Sequence, residues 1–221
     1  MTGSRAWRWV ALTGPAAAVL LAVGAALQLD GVPGAQDAPS SVISHYAAHE
    51  GRTVAVATLG AVSAVLLLVF FSHLRALARE RIVAPGPGPT LMIGGAVLWA
   101  AGLLLVSVLA LALATAATGD MPETARTLNV LSHSLWALLF PALAVTMVGA
   151  GLTVLRSGLV PTWTGWVAVV VGGLSALGPV GVVGLVLAPL WVLVVGFLCV
   201  RHPEDARHLG RAGGPAAASR R

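Results

Sequence analysis

The sequence predicts an all-α, polytopic membrane bundle. Six transmembrane helices form one domain over residues 1–200, with the N-terminus and the C-terminus both cytoplasmic. Three observations carry this expectation. Apolar residues make up 57% of the chain and charged residues only 10%, whereas soluble domains sit near a quarter charged, so water cannot be the only solvent. The apolar residues gather into uncharged stretches close to the ~20 residues that a helix needs to cross a lipid core. The 13 basic residues are all arginine, and they cluster at the ends of those stretches, mostly on one side.

The first span is expected from Val10 to Leu29, behind Arg5 and Arg8. Its apolar part exceeds a signal-peptide core and no A-x-A site closes it before Asp30, so it reads as a retained helix. The second span, Val54 to Ser72, is free of charge and stops at His73-Leu74-Arg75. The loop after it holds Arg79, Glu80, Arg81 and the breaker Pro85-Gly86-Pro87-Gly88-Pro89, which cannot continue a helix. Leu91 to Ala114 forms the third span. The polar stretch from Thr118 to Glu123 separates it from the fourth, Val130 to Leu155.

The last apolar block, Thr162 to Val200, is long for one span and short for two. Gly178-Pro179 offers a break, giving one helix to about Leu177 and another from about Val180. Charge decides between the readings. With two spans, Arg5, Arg8, Arg75, Arg79, Arg81, Arg156, Arg201, Arg207, Arg211, Arg220 and Arg221 share a side, leaving Arg52 and Arg126 opposite. One long span would divide the arginines six to seven. The positive-inside rule prefers eleven to two. Residues 201–221 are too poor in apolar surface to fold and are expected to form a disordered cytoplasmic tail.

Tryptophan placement agrees. Trp7, Trp9, Trp163 and Trp166 fall at the inner headgroup layer, which suits an apolar ring with one N–H to satisfy. Trp99, Trp136 and Trp191 are expected to pack between helices. Small residues four apart permit close helix contact in lipid; Ala18, Ala22 and Ala26, Gly60 and Ala64, Gly172 and Ala176, and Gly184 and Ala188 are read as such packing. Pro15, Pro141 and Pro189 should kink their spans unless they fall in a first turn.

Composition also removes several functions. The arginines sit where topology and lipid contact place them, so nucleic acid is not an expected partner. Absence of lysine excludes Schiff-base chemistry on a lysine. The lone Cys199 cannot form an intrachain disulfide. No Asp, Glu or Arg lies inside a predicted span, so a relay of buried carboxylates is not expected. Ser132 and Ser134 flank His133, but neighbours on a helix do not face each other, and no G-x-S-x-G or CxxC is present. A pore would need a polar wall, and Thr58, Ser63, Ser107, Thr146 and Ser175 are scattered along the chain.

One cluster could carry chemistry. Ser40 and Ser41 are placed to cap a short outer helix from Val42 to Glu50. On it His45 and His49 are four apart and share a face, the spacing at which two imidazoles bind one metal. His133 is expected at the same outer surface, with Glu50, Asp120 and Glu123 as further oxygen donors. His45, His49 and His133 are therefore the candidate metal site, with the cofactor unspecified between a metal and a haem. The plainer reading is an interfacial segment whose histidines face water.

The all-arginine, Ala/Val/Leu/Gly-rich usage points to a high-GC bacterial genome. The segment Tyr46-Ala-Ala-His49-Glu-Gly-Arg52, the arginine-rich loop before the third span, and Gly158-Leu-Val-Pro161-Thr-Trp163-Thr-Gly165-Trp166 resemble those of an uncharacterised family of small bacterial six-helix integral membrane proteins, classed as a domain of unknown function. The resemblance implies the six-helix fold and assigns no activity and no site residue. The function expected is a non-enzymatic accessory, sensory or envelope-associated bundle in the cell membrane. Its partners are the bilayer and a second copy or another membrane protein; a metal- or haem-binding protein and a small-solute transporter are the alternatives.

Overall fold

The computed structural model describes residues 9–28, 31–82, 86–177 and 181–201. The regular elements among them are all helices: α1 (Thr13–Ala26), α2 (Pro39–Ala48), α3 (Glu50–Arg79), α4 (Gly88–Thr118), α5 (Pro122–Ser157), α6 (Thr162–Ser175) and α7 (Gly181–Arg201). Among the described residues five stretches are long and apolar enough to cross a membrane: Trp9–Ala26, Glu50–Arg79, Gly88–Thr118, Pro122–Ser157 and Gly181–Arg201. The last apolar block does divide into two helices; the Gly178-Pro179 break itself lies outside the described residues, as do the tail beyond Arg201 and Trp7. Of the pair, α6 has 14 residues, about 21 Å at 1.5 Å per residue, and falls short of a ~30 Å hydrocarbon core.

The long helices outrun their apolar stretches. Prolines at the first helical positions start α4 and α5, where a missing N–H costs nothing. Gly158 ends α5 at φ 57°, a left-handed cap that glycine adopts freely. With 36 residues, α5 is about 54 Å long, so its polar N-terminal turns stand beyond any single lipid core. Arg75, expected in a loop, lies inside α3 instead, and its Nε is buried without a hydrogen-bond partner.

Helix neighbours close a ring. α3 packs on α4, α4 on α5, α5 on α6, α6 on α7, and α1 closes the circle between α7 and α3. Arg79, Arg81, Arg156 and Arg201 mark one end of this ring; His45, His49, Arg52 and His133 mark the other. Close backbone approach joins the pairs. On α4, Gly88, Gly95 and Gly102 are seven apart and face Thr153, Thr146 and Leu139 of α5, also seven apart. A Cβ on Gly95 would lie 2.5 Å from the Thr146 backbone nitrogen. Gly151 and Gly172 continue the pattern between α5 and α6, and Gly184 meets Ser175 between α6 and α7. The Trp191 indole N–H donates to the Thr164 carbonyl at 2.8 Å, tying α7 to α6.

Not every small-residue stripe packs. Ala22 and Ala26 are exposed, and α1 buries Gly14, Ala17 and Ala18 instead, with Gly14 against the Phe70 ring. Ala176 is likewise exposed. Pro15 sits in the first turn of α1 against Gly196 of α7, where it contributes packing. Trp99 and Trp191 are buried as expected, but Trp136 is 37% exposed.

Candidate functional site

At the histidine end, α2 lies across the projecting ends of α4 and α5. Pro39 opens it behind the extended Ala38. The expected serine cap is not formed: the Ser41 hydroxyl donates backwards to the Ala38 carbonyl at 2.8 Å. Val42 and Tyr46, four apart, put one face of α2 into a second small core with Leu113, Ala116, Ala117 and Ala125. The helix stops at Ala48, and His49 stands between α2 and α3 at φ −121° and ψ 27°. The segment expected as one helix from Val42 to Glu50 turns at His49, where the His45 carbonyl accepts both the His49 backbone N–H (3.1 Å) and the His49 Nδ1–H (2.9 Å).

Beneath α2 lies a cavity of about 240 Å³. From α2 it is lined by His45 and Tyr46, and from α3 by Arg52, Thr53 and Val56. Val106, Ala110 and Leu113 of α4 form the apolar wall, and Ser132, His133 and Trp136 of α5 the opposite one. Gln28 and Val32 close the side next to the end of α1.

The structure thus brings His45 and His133 of the predicted trio to one cavity. His49 does not line it, although its ring centroid is 4.8 Å from that of His45. Glu50, Asp120 and Glu123 are not in its wall either. Among the described residues no group of three His, Cys, Asp or Glu side chains could hold a metal ion. The further ionisable group in the wall is the guanidinium of Arg52, which opposes a divalent cation by like charge.

Electrostatics follow from this crowding of cations. Burial first, then the neighbouring His49 and Arg52, hold His45 below the ordinary histidine value, so its ring is neutral at pH 7. Burial raises the Tyr46 phenol and keeps it protonated. The hydrogen bond of His133 fixes its tautomer. Its Nδ1 lies 2.9 Å from the Asn129 carbonyl, which can only accept, so Nδ1 carries a proton.

Asn129 is the residue that sequence reasoning missed. It is 1% exposed, and its Nδ2 donates to the Gly34 carbonyl at 2.9 Å, pinning the loop before α2 onto α5. Its Oδ1 is buried without a partner. A signal was present: Asn129 lies four residues before His133, on the same face of α5. Arg52 was read only as a topology marker, though it follows His49 by three residues.

The hydroxyls weighed as a pore lining bond within their own helices. Ser63, Ser107, Thr146 and Ser175 each donate to a carbonyl one turn back on their own helix, at 2.7–2.9 Å, as does Thr58. None of the five lines the cavity. No family model, curated protein or solved structure matches the chain.

Proposed function

We propose that this chain is a six-pass protein of the cell membrane, with both termini on the cytoplasmic side, that works as a non-enzymatic sensory or accessory bundle by admitting a small ligand to the cavity under α2. One observation carries the reading: three helices and the covering α2 converge His45, Tyr46, Arg52 and His133 on a single cavity with an apolar far wall. Convergent polar groups in an apolar recess are the usual form of a small-molecule site. The cavity lies below the roughly 300–1,000 Å³ typical of drug-sized ligands, so its occupant is small and no haem fits. Among the described lining residues nothing has the order of a nucleophilic site, since none of them is a carboxylate that could orient a histidine against Ser132. The sixth pass is assigned to the apolar block that contains α6, and the orientation rests on the eleven-to-two arginine split. The resemblance to small bacterial six-helix proteins accords with this reading.

Single cysteines on a Cys199→Ala background test it. An impermeant maleimide applied to intact cells should label Ser44→Cys on α2, and should reach Glu80→Cys only after permeabilisation. A small charged thiosulfonate should label Ser132→Cys in the cavity wall from outside. Labelling of Glu80→Cys from outside would reverse the orientation. A silent Ser132→Cys beside a labelled Ser44→Cys would make the cavity a sealed packing void.

A second reading is a transition metal held by His45 and His133, favoured by their sharing one cavity and opposed by Arg52 in its wall. Metal content of detergent-purified protein, beside a His45→Ala/His133→Ala variant, decides it: stoichiometric metal lost in the variant supports it, and a metal-free parent removes it.

A further inference from the structure

The helix over the cavity is held differently from the long helices. α2 buries Val42 and Tyr46, which meet Leu113, Ala116, Ala117 and Ala125 in a small cluster separate from the main core. Ser41, Ser44 and Ala47 on its other side are exposed. It packs on α4 and α5 and little on α3, although α3 is the helix it leads into. A short element seated on its own few apolar contacts opens at a lower free energy than the bundle beneath it.

Its two ends suit such a movement. At the C-terminal end His49 leaves helical geometry, at φ −121° and ψ 27°, and α3 begins at the next residue. Rotation about that position swings α2 off α4 and α5 without disturbing α3. At the other end the Gly34 N–H donates to Asp37 Oδ2 at 2.8 Å, which keeps residues 34–37 a compact turn that travels with α2. The turn is fastened to α5 by the Asn129 Nδ2 bond to the Gly34 carbonyl. The same amide holds its Oδ1 buried without a partner, and a buried, unpaired acceptor offsets what one bond contributes. The fastening is therefore a weak one, made and broken at one residue.

Resting on the small-ligand reading above, we infer that α2 is the lid of the cavity: it turns about His49, is latched by Asn129 on Gly34, and admits the ligand when the latch opens. His45 and Tyr46, which α2 contributes to the wall, leave with it, so the site is complete only when the lid is closed. Neither Asn129 nor Val42 lines the cavity. A change at either residue that alters entry to the cavity acts through α2.

The test reads single cysteines in the full chain in detergent, on a Cys199→Ala background, with a small charged thiosulfonate. Ala117→Cys lies in the cluster under α2 and is 4% exposed, so it reports lifting. Ser132→Cys lies in the cavity wall and reports entry. Ala64→Cys, in the main core at 0% exposure, reports unfolding and should stay unreactive. Asn129→Ala should quicken both Ala117→Cys and Ser132→Cys by roughly two- to tenfold, the range that loss of one net hydrogen bond spans. Val42→Ala, which loosens the seat of α2 instead of its latch, should quicken both as well. Ser44→Cys, exposed on the outer side of α2, should react at an unchanged rate. An Ala117→Cys that quickens beside a reactive but unchanged Ser132→Cys would overturn the lid, since entry would not need α2 to move. Unchanged rates at both positions would overturn it too. The parent supplies a measurement that needs no variant: α2 amides should exchange together and faster than those of α3 and α4, and equal protection would overturn the lid. A Ser132→Cys silent in every background, even where Ala117→Cys reacts, would remove the small-ligand reading and the lid with it.

Discussion

Towards the arginine end, α4 and α5 run nearly backbone to backbone; at the histidine end the same two helices part around a cavity. The difference is written in glycine. Gly88, Gly95 and Gly102 face α5 at seven-residue intervals, and α5 answers with Gly149, whose added Cβ would strike the Met92 backbone nitrogen. Beyond Gly102 the repeat lapses: α4 presents Val106, Ala110 and Leu113, and α5 presents Ser132, His133 and Trp136. Helices bearing full side chains keep 8–10 Å between axes, and closer contact needs small residues. The cavity therefore opens where the close-contact repeat stops. Thr146 and Thr153, in the tight half, donate back onto their own helix at 2.7 Å, and in the open half the Asn129 amide reaches across the chain to Gly34.

The largest expected effect breaks the tight half. Gly95→Ala places a methyl 2.5 Å from the Thr146 backbone nitrogen, and neither helix can yield without moving its neighbours. Overpacking of this kind costs about 1–3 kcal/mol, and backbone as the obstacle puts the expectation at the upper end. Gly94→Ala is the control. Nothing lies within 4 Å of its added Cβ, so the gain from replacing a helical glycine, about 0.5–1 kcal/mol, should appear undiminished. Thermal melts in one detergent should therefore move in opposite directions for adjacent residues. A similar Tm for both variants would mean that α4 and α5 are not in backbone contact.

Much of this division was legible and part was read wrongly. Several helices long and apolar enough to cross, and the separation of the last block into α6 and α7, follow from apolar length, because lipid leaves few other solutions. Six spans were expected, and five helices among the described residues reach that length. The site was half legible. The four-residue spacing of His45 and His49 does bring their rings to 4.8 Å, but His133 shares a cavity with His45 and not with His49, a matter of tertiary packing that spacing along one helix does not report. The alanine stripe on α1 misled for a related reason. In an alanine-rich chain four-residue matches arise on every face, and the face that packs is set by Phe70 of α3 meeting Gly14, a partner nearly sixty residues away. The seven-residue glycine repeat on α4 was available in the sequence and carries more information than those stripes, because its two faces must match in period.

A smaller effect is expected in the open half. Asn129→Ala removes the bond to Gly34, worth about 0.5–1.5 kcal/mol net, but it also removes an Oδ1 buried without a partner, which offsets part of the loss. Global Tm should therefore fall only slightly. The local consequence should be larger: amides over residues 31–48 should exchange faster in hydrogen–deuterium exchange, while those of 139–157 keep parent protection. If quickened exchange spread through α4 and α5 alike, the two halves would be one cooperative unit and the contrast between them would fail.

The smallest effect sharpens the contrast through pH. His45 is held below the ordinary histidine value by burial and by the charges of His49 and Arg52. Tyr46 edges its ring at 5.3 Å, and His133 faces it across the cavity. In the unfolded chain His45 protonates near 6.5, and in the folded chain only at lower pH. The unfolded state therefore binds more protons between those two values, so stability is present in full above about 6.5, declines as pH falls through the window, and levels off below the folded value. The ring is mostly hydrated, so solvent screens the effect and it should be confined to the seating of α2. Exchange over 39–48 should quicken on acidification in the parent and much less in His45→Asn, with α6 and α7 unaffected in both.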